Sequence, residues 1–87
     1  MKATIHYYCA PRSRLASYDS EDIVLTLVLP FVPHIGMDLK LTPDGDFYRV
    51  DGVMWDVSEP DELHVYLEEP DELQSWRQME KQGWQIQ

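Results

Sequence analysis

The sequence predicts a mainly-β fold: a small five-stranded, bent antiparallel sheet or SH3-like barrel carrying one C-terminal α-helix. Three observations point there. Short runs of alternating apolar and polar residues recur between residues 2 and 68, the period-two pattern of half-buried strands. Pro, Gly, Asp and Ser cluster between those runs, where turns are needed. Within residues 47–57 the apolar parity reverses, because Tyr48 and Val50 share one parity and Val53, Trp55 and Val57 the other. A one-residue slip would send one apolar set to solvent unless an extra residue is absorbed between them. Asp51-Gly52 is the place for such a bulge, and a bulge bends a strand in the way a small barrel requires.

The first strand spans residues 2–9, with Ala3, Ile5, Tyr7 and Cys9 on one face and Thr4, His6 and Tyr8 on the other. Residues 10–22, APRSRLASYDSED, read as a long loop, since Pro11 removes a ladder donor and the Ser/Asp/Glu-rich end lacks strand formers. The second strand, residues 23–29, is apolar on both faces apart from Thr26, the pattern of a central strand covered on both sides. The C-terminal helix is the expected cover. Pro30 and Pro33 end the pairing, and Gly36 permits a turn.

The third strand, residues 37–42, places Met37, Leu39 and Leu41 inward. Pro43-Asp44-Gly45-Asp46 follows as a hairpin turn, with Gly45 expected at positive φ. An EF-hand reading of this Asp-x-Asp fails for want of further oxygen ligands and a distal Glu. The fourth strand covers 47–57 and the fifth 63–68, joined by the turn Ser58–Glu62. The segment Glu-Pro-Asp-Glu-Leu occurs twice, at 59–63 and 69–73, but two copies in different contexts do not make a repeat architecture. The second copy is expected to open a helix over 70–82, with Pro70 in the first position, Asp71 and Glu72 at the positive end of the dipole, a stripe of Leu73, Trp76 and Met79, and Gly83 as C-cap.

Length and composition bound the function. With 87 residues there is room for one domain, 1–87, and one core. The 44% apolar content argues against global disorder. Cys9 stands alone, so no intramolecular disulfide forms, and its place in an alternating strand favours a buried thiol over a nucleophile. The first residues contain no continuous apolar h-region, and the longest apolar run, 23–37, is interrupted by Pro30, Pro33 and His34. The expectation is a soluble cytoplasmic chain with no membrane association.

Charge is the second functional clue. The 16 acidic residues outnumber 7 basic ones, for a formal net charge of −9. A surface of that sign repels phosphate backbones and argues against direct nucleic-acid binding. Between Arg49 and Arg77 there is no Lys or Arg at all. Asp56, Glu59, Asp61, Glu62, Glu68, Glu69, Asp71 and Glu72 fall in that span, together with Tyr66, whose parity is opposite to the apolar set of its strand. These nine residues are the candidate partner-binding set, suited to a basic protein surface. The bland reading of such a face is solubility alone. Arg12 and Arg14 are the alternative anion-binding pair, or else counter-ions to the acidic face.

No catalytic constellation appears. There is no nucleophile elbow, no phosphate-binding glycine loop and no motif around Cys9. His6 and His64 could meet across paired strands with Cys9 nearby, but nothing in the spacing requires a zinc site, and the expectation is no metal, no cofactor and no enzyme. Two other functions remain open: a nucleic-acid or phosphate binder using Arg12 and Arg14, and a structural or assembly subunit.

Leu29-Pro30, Pro33, Gly36, Gly45, Tyr48-x-Val50 and Val53-x-Trp55 form a pattern that resembles short β-rich proteins of phages, plasmids and other mobile elements, over residues 23–67. Those proteins are mostly of unknown function. The resemblance implies a small sheet or barrel. Together with the acidity, it implies an inhibitor that occupies the basic groove of a nucleic-acid-binding protein.

Overall fold

A computed structural model describes every residue except Arg14 and Ala16. The chain forms strands β1 (Lys2–Cys9), β2 (Glu21–Val28), β3 (Asp38–Lys40), β4 (Phe47–Trp55) and β5 (Glu62–Leu67). Helix α1 (Trp76–Lys81) and strand β6 (Gln85–Ile86) follow. The six strands make one sheet in the order β3-β4-β5-β1-β2-β6.

Two features depart from the expected barrel. β1 pairs with β5 in parallel, Thr4 opposite His64 and His6 opposite Tyr66, while its other neighbour β2 runs antiparallel. The sheet is therefore mixed, with β5 and β1 as its two middle strands and β2 between β1 and the edge strand β6. It is also open: β3 and β6 lie at opposite edges, and no pairing between them closes a barrel among the described residues. Hydrophobic alternation fixes which face a residue occupies but not which strands pair or in which direction, so periodicity does not distinguish a five-stranded antiparallel order from this six-stranded mixed one.

Core formation follows the alternation. Ala3, Ile5, Tyr7 and Cys9 of β1 align with Ile23 of β2, Leu63, Val65 and Leu67 of β5, and Tyr48 and Val50 of β4. Leu29, Met79 and Trp84 cover this face and are themselves buried. The bulge occurs where parity demanded it. Val50 pairs with Leu67 and Gly52 with Tyr66, leaving Asp51 as the extra residue that lets Val53 rejoin the core side opposite Val65.

β2 is only half as expected. Ile23 is buried and Leu25 and Leu27 pack against the core, but the helix lies on that same side. Val24 and Thr26 therefore face an uncovered surface, and Val28 is 75% exposed.

The helix is shorter than the sequence suggests. Pro70–Gln74 are non-helical, and Ser75 is the N-cap, its hydroxyl accepting from the Gln78 amide at 3.2 Å. Ser75-x-x-Gln78 has the spacing of a capping box, a stronger start signal than Pro70. At the other end Gly83 takes φ +98° and donates to the Glu80 carbonyl, while Trp84 donates to Met79. This is a Schellman ending, and it folds Trp84 back beside Met79 in the core. Gly36 likewise adopts φ +91°. Gly45 does not have positive φ, contrary to expectation; there a Cβ would come 2.5 Å from the Thr42 hydroxyl oxygen, so a larger residue requires the Thr42 side chain to move. No helix among the described residues is long and apolar enough to cross a membrane.

Candidate functional site

The face of the sheet opposite α1 is where unused chemistry collects. Strand parity sends Thr4, His6 and Tyr8 of β1 there, and the parallel register sets Glu62, His64 and Tyr66 of β5 beside them. His6 Nε2 lies 3.0 Å from His64 Nδ1, and the His6 ring stacks on Tyr66 at 4.5 Å between centroids with planes 11° apart. The second His64 nitrogen, Nε2, is 3.2 Å from a Glu59 carboxylate oxygen. The Thr4 hydroxyl donates to Glu62.

These contacts shift the local titrations. The Thr4 hydroxyl, with help from Lys2 and His64, holds the Glu62 carboxyl below its usual range, against the pull of burial. Burial and then the neighbouring His64 push His6 down, opposed by Asp22, a hydrogen bond with Gln87, and Glu62. Asp56 is lowered by the Ser58 amide, which it caps at 2.9 Å.

The acid-rich span divides into two groups at opposite ends of β5, roughly 20 Å apart at about 3.3 Å per strand residue. Asp56, Glu59 and Asp61 lie in the β4–β5 turn, with Glu62 at the first position of β5. Glu68, Glu69, Asp71 and Glu72 follow the last residue of β5. All are exposed except Glu62, which like Tyr66 is half-buried.

Around the second group the surface is concave. An open cleft of about 670 Å³ is lined by His6, Tyr8, Asp51, Gly52, Tyr66, Leu67, Glu68 and Glu69. On the other side of the same segment a smaller cleft of about 250 Å³ is lined by Tyr7, Asp38, Phe47, Tyr48, Arg49, Glu68, Glu69, Pro70 and Asp71. Glu68 and Glu69 thus border both. Tyr66, Glu68, Glu69 and Asp71 of the candidate set meet here, whereas Glu72 borders neither cleft. The nine-residue candidate set left out His6, Tyr8 and Asp51. Parity had placed Tyr8 and His6 on the outer side of β1, but only the parallel β1–β5 pairing brings them beside Tyr66.

The arginine loop is partly engaged within the chain. Arg12 Nε is 3.5 Å from a carboxylate oxygen of Glu21, and the same oxygen accepts from the Tyr18 hydroxyl at 2.8 Å. Arg14 lies outside the described residues. His6 and His64 do meet, but Cys9 is fully buried on the opposite face, so it cannot join them.

An uncovered face with two tyrosines, two histidines and flanking carboxylates can do two things. Its aromatic and acidic cleft can receive a cationic side chain, by ring-face attraction and charge pairing. Its imidazole and carboxylate atoms can ligate a metal ion. No protein family, curated protein or solved structure was found to match this chain.

Proposed function

We propose that this protein is a non-catalytic binding module that engages a basic protein surface through the segment Leu67–Asp71 and its two flanking clefts. The observation that carries this reading is that Glu68 and Glu69 border both clefts, with Tyr8 and Tyr66 lining one and Tyr7, Phe47 and Tyr48 the other. Arg or Lys side chains arriving on either side would meet a carboxylate and an aromatic ring together. Arg suits this best, since its planar guanidinium pairs with carboxylates in a fork and stacks on rings. The net charge of −9 would speed encounter with such a partner. The same chemistry suits occupation of a basic groove on a nucleic-acid-binding protein.

Amide and side-chain NMR shifts during titration with a short arginine-rich peptide test the reading. Shifts should concentrate on Tyr8, Asp51, Gly52, Tyr66, Glu68 and Glu69, weaken with added salt, and exceed those produced by a lysine-rich peptide. Reversing charge at Glu68, Glu69, Asp71 and Glu72, or replacing Tyr66→Ala, should remove them without unfolding the chain. Shifts spread evenly over all acidic residues, or unchanged in the variants, would overturn it.

A further inference from the structure

The other end of β5 carries a cluster of different character. Glu59, Glu62 and His64 follow a Glu-x-x-Glu-x-His spacing, and the local structure brings all three to one spot. The turn closes through amide donation from Glu59 to the Asp56 carbonyl at 3.0 Å and from Glu62 to the Glu59 carbonyl at 3.1 Å. Two residues on, strand alternation returns His64 to the same face as Glu62. One ligand atom from each residue then lies within 4.8 Å of the others.

We propose that Glu59, Glu62 and His64 bind a divalent transition-metal ion of the zinc class, with Thr4 and His6 as positioning residues. One imidazole and two carboxylates supply three of the four positions of a tetrahedral site and leave the fourth to solvent or a ligand. The fit is close. Zinc ligands at about 2.0–2.1 Å from the ion stand about 3.3 Å from one another, and His64 Nε2 is already 3.2 Å from Glu59. The remaining adjustment falls on the Glu59 and Glu62 side chains, of which Glu59 is exposed. An imidazole donor selects against Ca2+ and Mg2+, which take oxygen ligands.

The supporting contacts strengthen the assignment. A metal-bound histidine ordinarily donates its other ring N–H to an acceptor, which fixes tautomer and ring orientation, and bound carboxylates are themselves hydrogen-bonded. Here His64 Nδ1 faces His6 Nε2 at 3.0 Å, with His6 held in turn by stacking on Tyr66. Glu62 accepts from the Thr4 hydroxyl. Both supports come from β1 through its parallel pairing with β5, Thr4 opposite His64 and His6 opposite Tyr66. A shallow cleft of about 180 Å³ lined by Lys2, Glu59, Pro60, Asp61 and Glu62 gives access from solvent. None of the three ligands lines either binding cleft, although His6 and Tyr66 link the two sites, so Glu59→Gln or Glu62→Gln tests the metal site without altering the clefts.

The test is titration of the chelator-stripped 87-residue chain with Zn2+ against a chromophoric competitor, with Co2+ as a spectroscopic probe. One equivalent should bind, Co2+ should show the visible bands of a low-coordinate site, and Ca2+ or Mg2+ should not compete. Long-range imidazole NMR should show His64 metallated at Nε2 and protonated at Nδ1. Glu62→Gln and Glu59→Gln should each abolish stoichiometric binding, His34→Asn should leave it unchanged, and Thr4→Val or His6→Asn should weaken it about 10–100-fold. Should a variant fail to fold, the His64 ring shifts of the unmodified protein decide the matter. Absent stoichiometric binding, binding that survives Glu59→Gln and Glu62→Gln, or unmoved His64 ring nitrogens would overturn the assignment.

Discussion

Val50 faces Leu67 in the β4–β5 ladder, yet Gly52, two residues on, faces Tyr66, only one residue back along β5, so Asp51 has no partner. That single unpaired residue lets one strand present Tyr48 and Val50 and then Val53 to the same core. Deleting Asp51 should make the ladder regular with Tyr48, Val50 and Val53 still on the core face and every β4–β5 pair retained, so the variant should still unfold cooperatively in urea while losing the local bend. Gly52→Ala should be mild, within about 1 kcal/mol, because an added Cβ would sit at 3.8 Å from the Tyr66 Cβ, an ordinary contact. Loss of the cooperative urea transition in the deletion variant would refute the reading of Asp51 as a residue surplus to the pairing.

The helix ends offer a paired prediction. α1 has only six residues, too few to be stable by propensity, so its caps and the burial of Met79 carry it. Ser75→Ala should cost about 0.5–2 kcal/mol through the lost bond to Gln78. Gly83→Ala should cost about 1–2 kcal/mol, since φ +98° is strained for any L side chain even though Leu25 leaves room for the Cβ at 3.6 Å. Chemical denaturation of the two variants checks both. A Gly83→Ala protein as stable as the parent would mean that the Schellman ending is not what docks Trp84.

Much of this was readable from the residues, and the parts that were not share a cause. Strand positions, the bulge at Asp51, the Gly36 turn, the Gly83 ending and the burial of Cys9 are local properties, written in alternation and in the torsions glycine allows. The parallel pairing of β1 with β5 is not local. Nothing in either strand specifies which neighbour it takes or in which direction, because the same inward set satisfies both arrangements. The candidate site inherits that limit. Tyr66, Glu68 and Glu69 were legible as outward and acidic, but His6 and Tyr8 joined them only through topology. Ser75-x-x-Gln78 is also a local signal, and it marks the helix start that the chain uses in place of Pro70.

Cys9 gives a chemical check on burial. Its side chain is fully enclosed, its thiol donates to the Ala10 carbonyl at 3.4 Å, and burial together with Glu21 raises its pKa. Since the thiolate is the reactive form, alkylation of the native protein near neutral pH should be slower than in denaturant by orders of magnitude. Mass-spectrometric counting of iodoacetamide adducts over time measures this directly. Rapid labelling of the native chain would mean that the end of β1 opens readily and that the Ala10–Gln74 hydrogen bond of 2.8 Å does not hold it closed.

The core tyrosines predict an alkaline limit to stability. Tyr7 is 5% exposed, its ring 4.8 Å from that of Tyr48 and 5.8 Å from that of Trp84. Burial first, then Tyr48 and Asp46, push its pKa up to about 12, against the ordinary 10.0 of a tyrosine in the unfolded chain. Tyr48 moves in the same direction, through burial and then Asp46. Above pH 10 the unfolded chain therefore releases a proton that folded Tyr7 retains. The stabilisation is complete below pH 10 and declines as the pH rises toward 12. At about 1.4 kcal/mol per pH unit for one proton, Tyr7 alone would remove roughly 2–3 kcal/mol across that window. Urea midpoints at successive alkaline pH values should fall steeply for the parent and less steeply for Tyr7→Phe, with tyrosinate absorbance rising as the protein unfolds. Equal slopes for the two proteins would show that the Tyr7 hydroxyl titrates freely and that this end of the core admits water.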